Sequence, residues 1–156
     1  MYRISFLFLG LLVWIPAALA QELLDVQSDN LSIDNKKNSA QFTGNVRVVR
    51  GEVTLFADKV DVDYVEKTEQ GKTQNDVSRI VAVGNVKIVD DKKTITAKKA
   101  TYQVQKDEIE LNENVVVKEG AENTITGTKM LYDMAAGLIT VTADTGRVKA
   151  TLVPKK

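Results

Sequence analysis

The 156-residue sequence contains neither cysteine nor histidine. Those absences remove Cys and His nucleophiles, Ser-His-Asp triads and ordinary zinc sites, and no disulfide is available to staple the fold. Tryptophan occurs only as Trp14, and the two prolines, Pro16 and Pro154, leave everything between them proline-free. Beyond the first twenty residues the phenylalanines are Phe42 and Phe56, too few aromatics to line sugar subsites. Charge is balanced, with 21 basic and 21 acidic residues, so there is no basic surplus of the kind that marks a nucleic-acid-binding domain. Paired carboxylates acting on glycosides remain formally open, but the acidic residues read more simply as a solvated face. No catalytic residue, metal ligand or cofactor site is expected.

What is present begins with a secretion signal. Arg3 supplies a positive start, an apolar stretch runs from Ile4 to Ile15, and Ala18-Leu19-Ala20 precedes Gln21. The pattern predicts cleavage between Ala20 and Gln21, and the apolar stretch falls short of the roughly 20 residues that cross a bilayer. Residues 1–20 are therefore assigned to the signal and 21–156 to a single domain, long enough to bury a core.

From Val26 onward apolar residues recur every second position. Leu31-x-Ile33, Val46-x-Val48, Val60-x-Val62-x-Tyr64, Ile109-x-Leu111 and Val115-x-Val117 alternate with polar neighbours, the signature of half-buried strands. Turn signals fall at Asp34-Asn35, Gly44-Asn45, Arg50-Gly51, Gly84-Asn85, Asp90-Asp91, Glu119-Gly120, Ala136-Gly137 and Thr145-Gly146. No helical period appears, and Gln21–Val26 reads as a short turn. The strands also repeat. Val26, Leu55, Ile95 and Ile125 form one column, Leu31, Val60, Ala100 and Met130 a second, and Ile33, Val62, Tyr102 and Tyr132 a third. Ala40, Phe42, Val46 and Val48 map onto Ile80, Ala82, Val86 and Ile88, then onto Ile109, Leu111, Val115 and Val117. A period of roughly 30 residues implies stacked units that bury their apolar faces against one another. One interval is longer, and its excess, Glu66 to Arg79, reads as a polar surface loop. The end strands, Leu31–Asp34 and Arg147–Val153, have no interior proline and are neither long nor strongly charged, so they are not blunted as sheet edges are; unlike ends meeting would build an open filament, unless Gln21–Asp25 and Pro154–Lys156 cap them.

In order and spacing, the motifs Asp29-Asn30-Leu31-Ser32-Ile33-Asp34, Phe42-Thr43-Gly44-Asn45-Val46, Ala57-Asp58-Lys59-Val60, Glu69-Gln70-Gly71-Lys72, Ile125-Thr126-Gly127-Thr128-Lys129-Met130-Leu131-Tyr132 and Lys149-Ala150-Thr151-Leu152-Val153-Pro154 resemble the OstA-like/LptA family. The resemblance implies an all-β, open, twisted β-jellyroll of about sixteen short antiparallel strands, acting in the periplasm as a bridge for lipopolysaccharide export. It implies no enzymatic activity. Expected partners are lipopolysaccharide through its lipid A, an inner-membrane-anchored component at the N-terminal edge, the periplasmic domain of the outer-membrane translocon at the C-terminal edge, and further copies stacked head to tail. Carried onto the inward columns, the candidate lipid-contacting set is Leu31, Ile33, Phe42, Val46, Val60, Val62, Ile80, Ala82, Val86, Tyr102, Leu111 and Tyr132. The plainer account of the same residues is a packed core. Lys36-Lys37, Lys92-Lys93 and Lys98-Lys99 are candidate phosphate partners at a groove mouth or, more simply, solubilising charges. The alternatives are an inner-membrane-anchored partner of the same fold and a non-transport structural or carbohydrate-active β-repeat protein.

Overall fold

A computed structural model describes residues 23–154. The expected secretion signal, residues 1–20, lies outside the described residues. Among the described residues ten strands, all paired antiparallel, follow in chain order: β1 (Leu24–Gln27), β2 (Asn30–Asp34), β3 (Ser39–Arg50), β4 (Val53–Glu69), β5 (Lys72–Asp90), β6 (Lys93–Gln103), β7 (Glu108–Glu119), β8 (Asn123–Asp133), β9 (Leu138–Thr142) and β10 (Lys149–Thr151). A 3-10 turn, Val104–Lys106, separates β6 from β7. β3 to β8 pair in sequence order, β1 and β2 share the outer edge of β3, and β9 and β10 share the outer edge of β8. Of the segment read as a turn, Gln21–Val26, the part among the described residues leads into β1, which holds residues 24–26 and pairs with the far end of β3.

The strand count differs from the expected sixteen, and the reason is local. Gly44-Asn45 and Gly84-Asn85 are not turns. They are bulges inside β3 and β5, where the pairing with β4 and β6 gains one residue between Thr43 and Val46 and between Val83 and Val86. Glu113-Asn114 does the same in β7. All six residues lie at positive φ. Such an insertion bends a strand and sharpens its twist, so the whole sheet folds over one line of bulges. Each long strand then has two arms, and counting arms on either side of the line recovers sixteen. Arm one holds β1, residues 46–57, 86–97 and 115–127, and β10; arm two holds β2, residues 39–43, 59–83, 99–112 and 128–133, and β9.

The bulges are built from a repeated contact. Asn45 Nδ2 donates to Asp29 Oδ2 at 3.0 Å, and Asn85 Nδ2 donates to Asp58 Oδ2 at 2.9 Å. A Cβ at Gly84 would sit 2.5 Å from that Asp58 oxygen, and φ there is +84°, so glycine is required twice over. The third corner substitutes an ion pair, Lys98 Nζ to Glu113 Oε2 at 3.8 Å.

The columns become continuous ladders. Leu31, Phe42, Val60, Ala82, Ala100, Leu111, Met130 and Val141 lie side by side across arm two, as do Ile33, Ala40, Val62, Ile80, Tyr102, Ile109, Tyr132 and Ile139. Across arm one the ladder is Val26, Val48, Leu55, Ile88, Ile95, Val117, Ile125 and Ala150. These faces meet in one core centred on Val60, Leu111 and Met130, each with no solvent exposure. At about 1.5–3 kcal/mol per large side chain buried, this core substitutes for disulfides.

The polar segment Glu66 to Arg79 is also corrected. It is not a loop but the outer part of a β4–β5 hairpin, paired from Tyr64–Val77 to Glu69–Lys72. Both of its faces are largely solvated, so it lacks the alternation by which a half-buried strand is recognised.

Candidate functional site

A strand ladder closes its neighbours' gaps only where the two arms touch, and along the open side they do not touch fully. There a cavity of about 180 Å³ lies between them. Arm one contributes Val48, Leu55 and Ile88, with Leu24 and Val53 toward the rim; arm two contributes Ile80, Ala82, Ala100 and Ile109. Ala82 and Ala100 are ladder neighbours, and two small side chains in succession leave room where Val60 and Leu111 on either side fill it. A narrower pocket of about 30 Å³ continues along the same gap past Ile95, Leu111, Met130 and Tyr132 to Asp90 and Lys93, sharing Val53, Ile88, Ile109 and Met134 with the first. On the other side a depression of about 410 Å³ opens between Val65, Lys67, Asp76 and Val77 of the β4–β5 hairpin and Val104-Gln105. It shares Leu24, Arg50, Ile80 and Tyr102 with the cavity, so the three form one path that runs from polar to apolar.

Polar groups gather at the junction of cavity and depression. The Arg50 Nη1 of arm one donates to the Tyr102 hydroxyl of arm two. Tyr102 in turn donates to Asp107 Oδ1 at 2.8 Å. The Arg50 guanidinium carbon also lies 5.6 Å from the Tyr102 ring centroid, within cation–π range. Burial, and then the hydrogen bond to Asp107, hold the Tyr102 pKa above its ordinary value, with Arg50 opposing.

The twelve candidate residues are distributed along this path and around it. Ile80, Ala82 and Tyr102 line the cavity, and Leu111 and Tyr132 line the narrower pocket. Val46, Val60, Val62 and Val86 are buried in the core, and Phe42 packs half-buried against it. Leu31 and Ile33 stand exposed on β2, at 54% and 64%, because their ladders end there. Sequence columns did contain Val48, Leu55, Ile88, Ala100 and Ile109. Arg50, the last residue of β3, and Asp107 and Met134, at turns, also line the cavity and carry no periodic signal. Of the paired lysines, Lys37 bonds Asp34 at 3.8 Å, Lys98 pairs with Glu113, and Lys93 borders the narrower pocket.

Residues 25–138 match the model of the LptA/(LptD N-terminal domain) LPS transport protein family. The chain belongs to this family. It is 31% identical over 136 residues to the lipopolysaccharide export system protein LptA of Escherichia coli (strain K12), covering 85% of this chain and 72% of that one. An uncharacterised protein of Rhizobium meliloti (strain 1021) is 29% identical over 133 residues, with the same coverage. Among solved structures, LptH of Pseudomonas aeruginosa, described as the LptA-homologous periplasmic component of a lipopolysaccharide transport device, superposes with a TM-score of 0.70 at 19% identity. That match covers 85% of this chain and 96% of LptH. The fold is thus the LptA-like open β-jellyroll, and membership places the chain among lipopolysaccharide transport proteins rather than enzymes.

Proposed function

We infer that this LptA-family protein carries lipopolysaccharide across the periplasm by sheltering lipid A acyl chains between its two arms. The observation that supports this most directly is the apolar cavity, continuous with a polar depression at one end and an apolar pocket at the other. Exposing an acyl chain to water costs about 0.8 kcal/mol per CH₂, so a multi-acyl lipid crossing water bare meets a barrier that an apolar track lowers without chemistry.

The two sheet edges extend the reading. Leu31 and Ile33 at one end, and Leu138, Leu152 and Val153 at the other, are exposed apolar side chains beside unpaired strand edges, the arrangement that invites strand addition. On this reading the β1/β2 edge receives lipid from an inner-membrane-anchored component, the β9/β10 edge delivers it to the outer-membrane translocon, and copies stack head to tail between them.

The test is photo-crosslinking in cells from Val62, Tyr102 and Tyr132, with Asp61 and Thr101 as outward controls. Lipopolysaccharide adducts are expected from the inward set; adducts confined to the controls, or none, would reject transport through the interior. Sequencing the N-terminus of periplasmic material should begin at Gln21, whereas a membrane-bound form beginning at Met1 would favour the anchored alternative.

A further inference from the structure

The cavity is small for its proposed cargo. At about 180 Å³ it resembles in size the roughly 150 Å³ apolar cavities that accept one benzene, so it has room for a segment of one acyl chain. Admitting more requires the arms to part. What joins them at the mouth is a chain of hydrogen bonds from Arg50 on arm one through Tyr102 to Asp107 on arm two.

We propose that Arg50, Tyr102 and Asp107 form a latch across the mouth, opened when the acidic headgroup of an entering amphiphile draws Arg50 away from Tyr102. The proposal rests on the carrier reading above and adds to it a selection for charge. A guanidinium offers five donors in a fixed fork suited to phosphate or carboxylate, and a phenol oxygen is the weaker acceptor. On the Tyr102 side the exchange leaves nothing unpaired. When Arg50 turns to the headgroup, the Tyr102 hydroxyl keeps its bond to Asp107, so no half-buried donor is left unpaired. A neutral amphiphile offers Arg50 only hydroxyl and ester oxygens, weaker acceptors than the charged partner it lacks, and so gains little by drawing Arg50 from Tyr102. Position supports this arrangement, since Arg50 and Tyr102 border both the apolar cavity and the polar depression. A tail in the first therefore places its headgroup beside Arg50.

The experiment uses the full chain and two probes with one acyl chain in common, lysophosphatidic acid and the corresponding monoacylglycerol, each kept below micelle formation. Binding is measured by calorimetry and uptake rate by stopped-flow, with lipopolysaccharide as the reference ligand. Wild type should favour the phosphate probe by roughly tenfold, the size of one charge-assisted hydrogen bond. R50Q should erase that preference while still taking up both probes. Y102F, which removes only a hydroxyl and keeps the ring, should retain the preference and accelerate uptake of both. If R50Q keeps the wild-type preference, or Y102F leaves both rates unchanged, the latch is overturned while lipopolysaccharide binding by wild type still stands. If wild type binds neither lipopolysaccharide nor either probe, the carrier reading falls and the latch with it.

Discussion

Single residues carry the bends and the mouth of this molecule. Gly84 illustrates the first. Its φ of +84° and the Asp58 oxygen 2.5 Å from any Cβ mean that G84A should lose about 2 kcal/mol or more in urea unfolding, from left-handed strain plus the displaced carboxylate. D58A placed on G84A should recover part of that loss by clearing the clash; a G84A protein as stable as wild type would show that the corner does not need glycine. Tyr102 illustrates the mouth. Its folded pKa is raised above the ordinary 10.0, so its contribution to stability is complete below pH 10 and is lost as pH rises through the raised value. Y102F should therefore flatten the fall in stability above pH 10 and remove a late-ionising tyrosine from the alkaline absorbance titration. Glu110 works in the opposite sense. Its pKa is lowered by the Asn112 amide, then by Lys129, so its small surface contribution is present above the ordinary carboxylate range and fades as pH falls through the lowered value. In the sequence, Tyr102 was legible as an inward residue. Its partners were not: Arg50 lies 52 positions away at the end of β3, on the other arm, and Asp107, five residues on, follows a 3-10 turn where the period of two is broken.

At the level of elements, alternation revealed faces and columns but not where strands end. Gly-Asn pairs favour left-handed backbone, and that conformation serves a hairpin turn and a bulge equally well. Asp29 and Asp58, each donated to by a bulge asparagine from another strand, decide for the bulge, and neither is a sequence neighbour. The β4–β5 extension was missed for a related reason: with water on both faces it has no period of two. Its ion pair, Lys67 to Asp76 at 3.2 Å, is partly exposed, and such pairs contribute at most about 1 kcal/mol. Replacing residues 67–74 with an Asn-Gly turn, which keeps the Glu66–Asn75 pairing, should thus change thermal stability little. A loss of several kcal/mol would mean that the hairpin supports the core rather than only walling the depression. By contrast L111A, at a fully buried ladder position, should cost about 2–5 kcal/mol by the same measurement.

For the whole molecule, each ladder runs from one edge to the other; Leu31, Ile33 and Ala150 end theirs exposed, and Val26, Ile139 and Val141 end theirs half-buried against the core. If the ends join, L31D/I33D should abolish concentration-dependent growth in light scattering while leaving the monomer's melting temperature nearly unchanged, since both residues are already solvated. Growth that persists unchanged would place the contact elsewhere. The line of bulges adds a constraint of parity. Counting β1 with β2 and β9 with β10 as divided strands, the sheet has eight positions, and bulged strands alternate with those that brace them. The first position runs from arm one to arm two and the eighth runs back. A second copy laid beside the eighth strand in the same orientation therefore presents a strand of the correct antiparallel sense and of the bracing kind. The domain is tiled in pairs: adding or removing one hairpin preserves that match, and adding or removing a single strand reverses it. Length along the ladder is counted in hairpins.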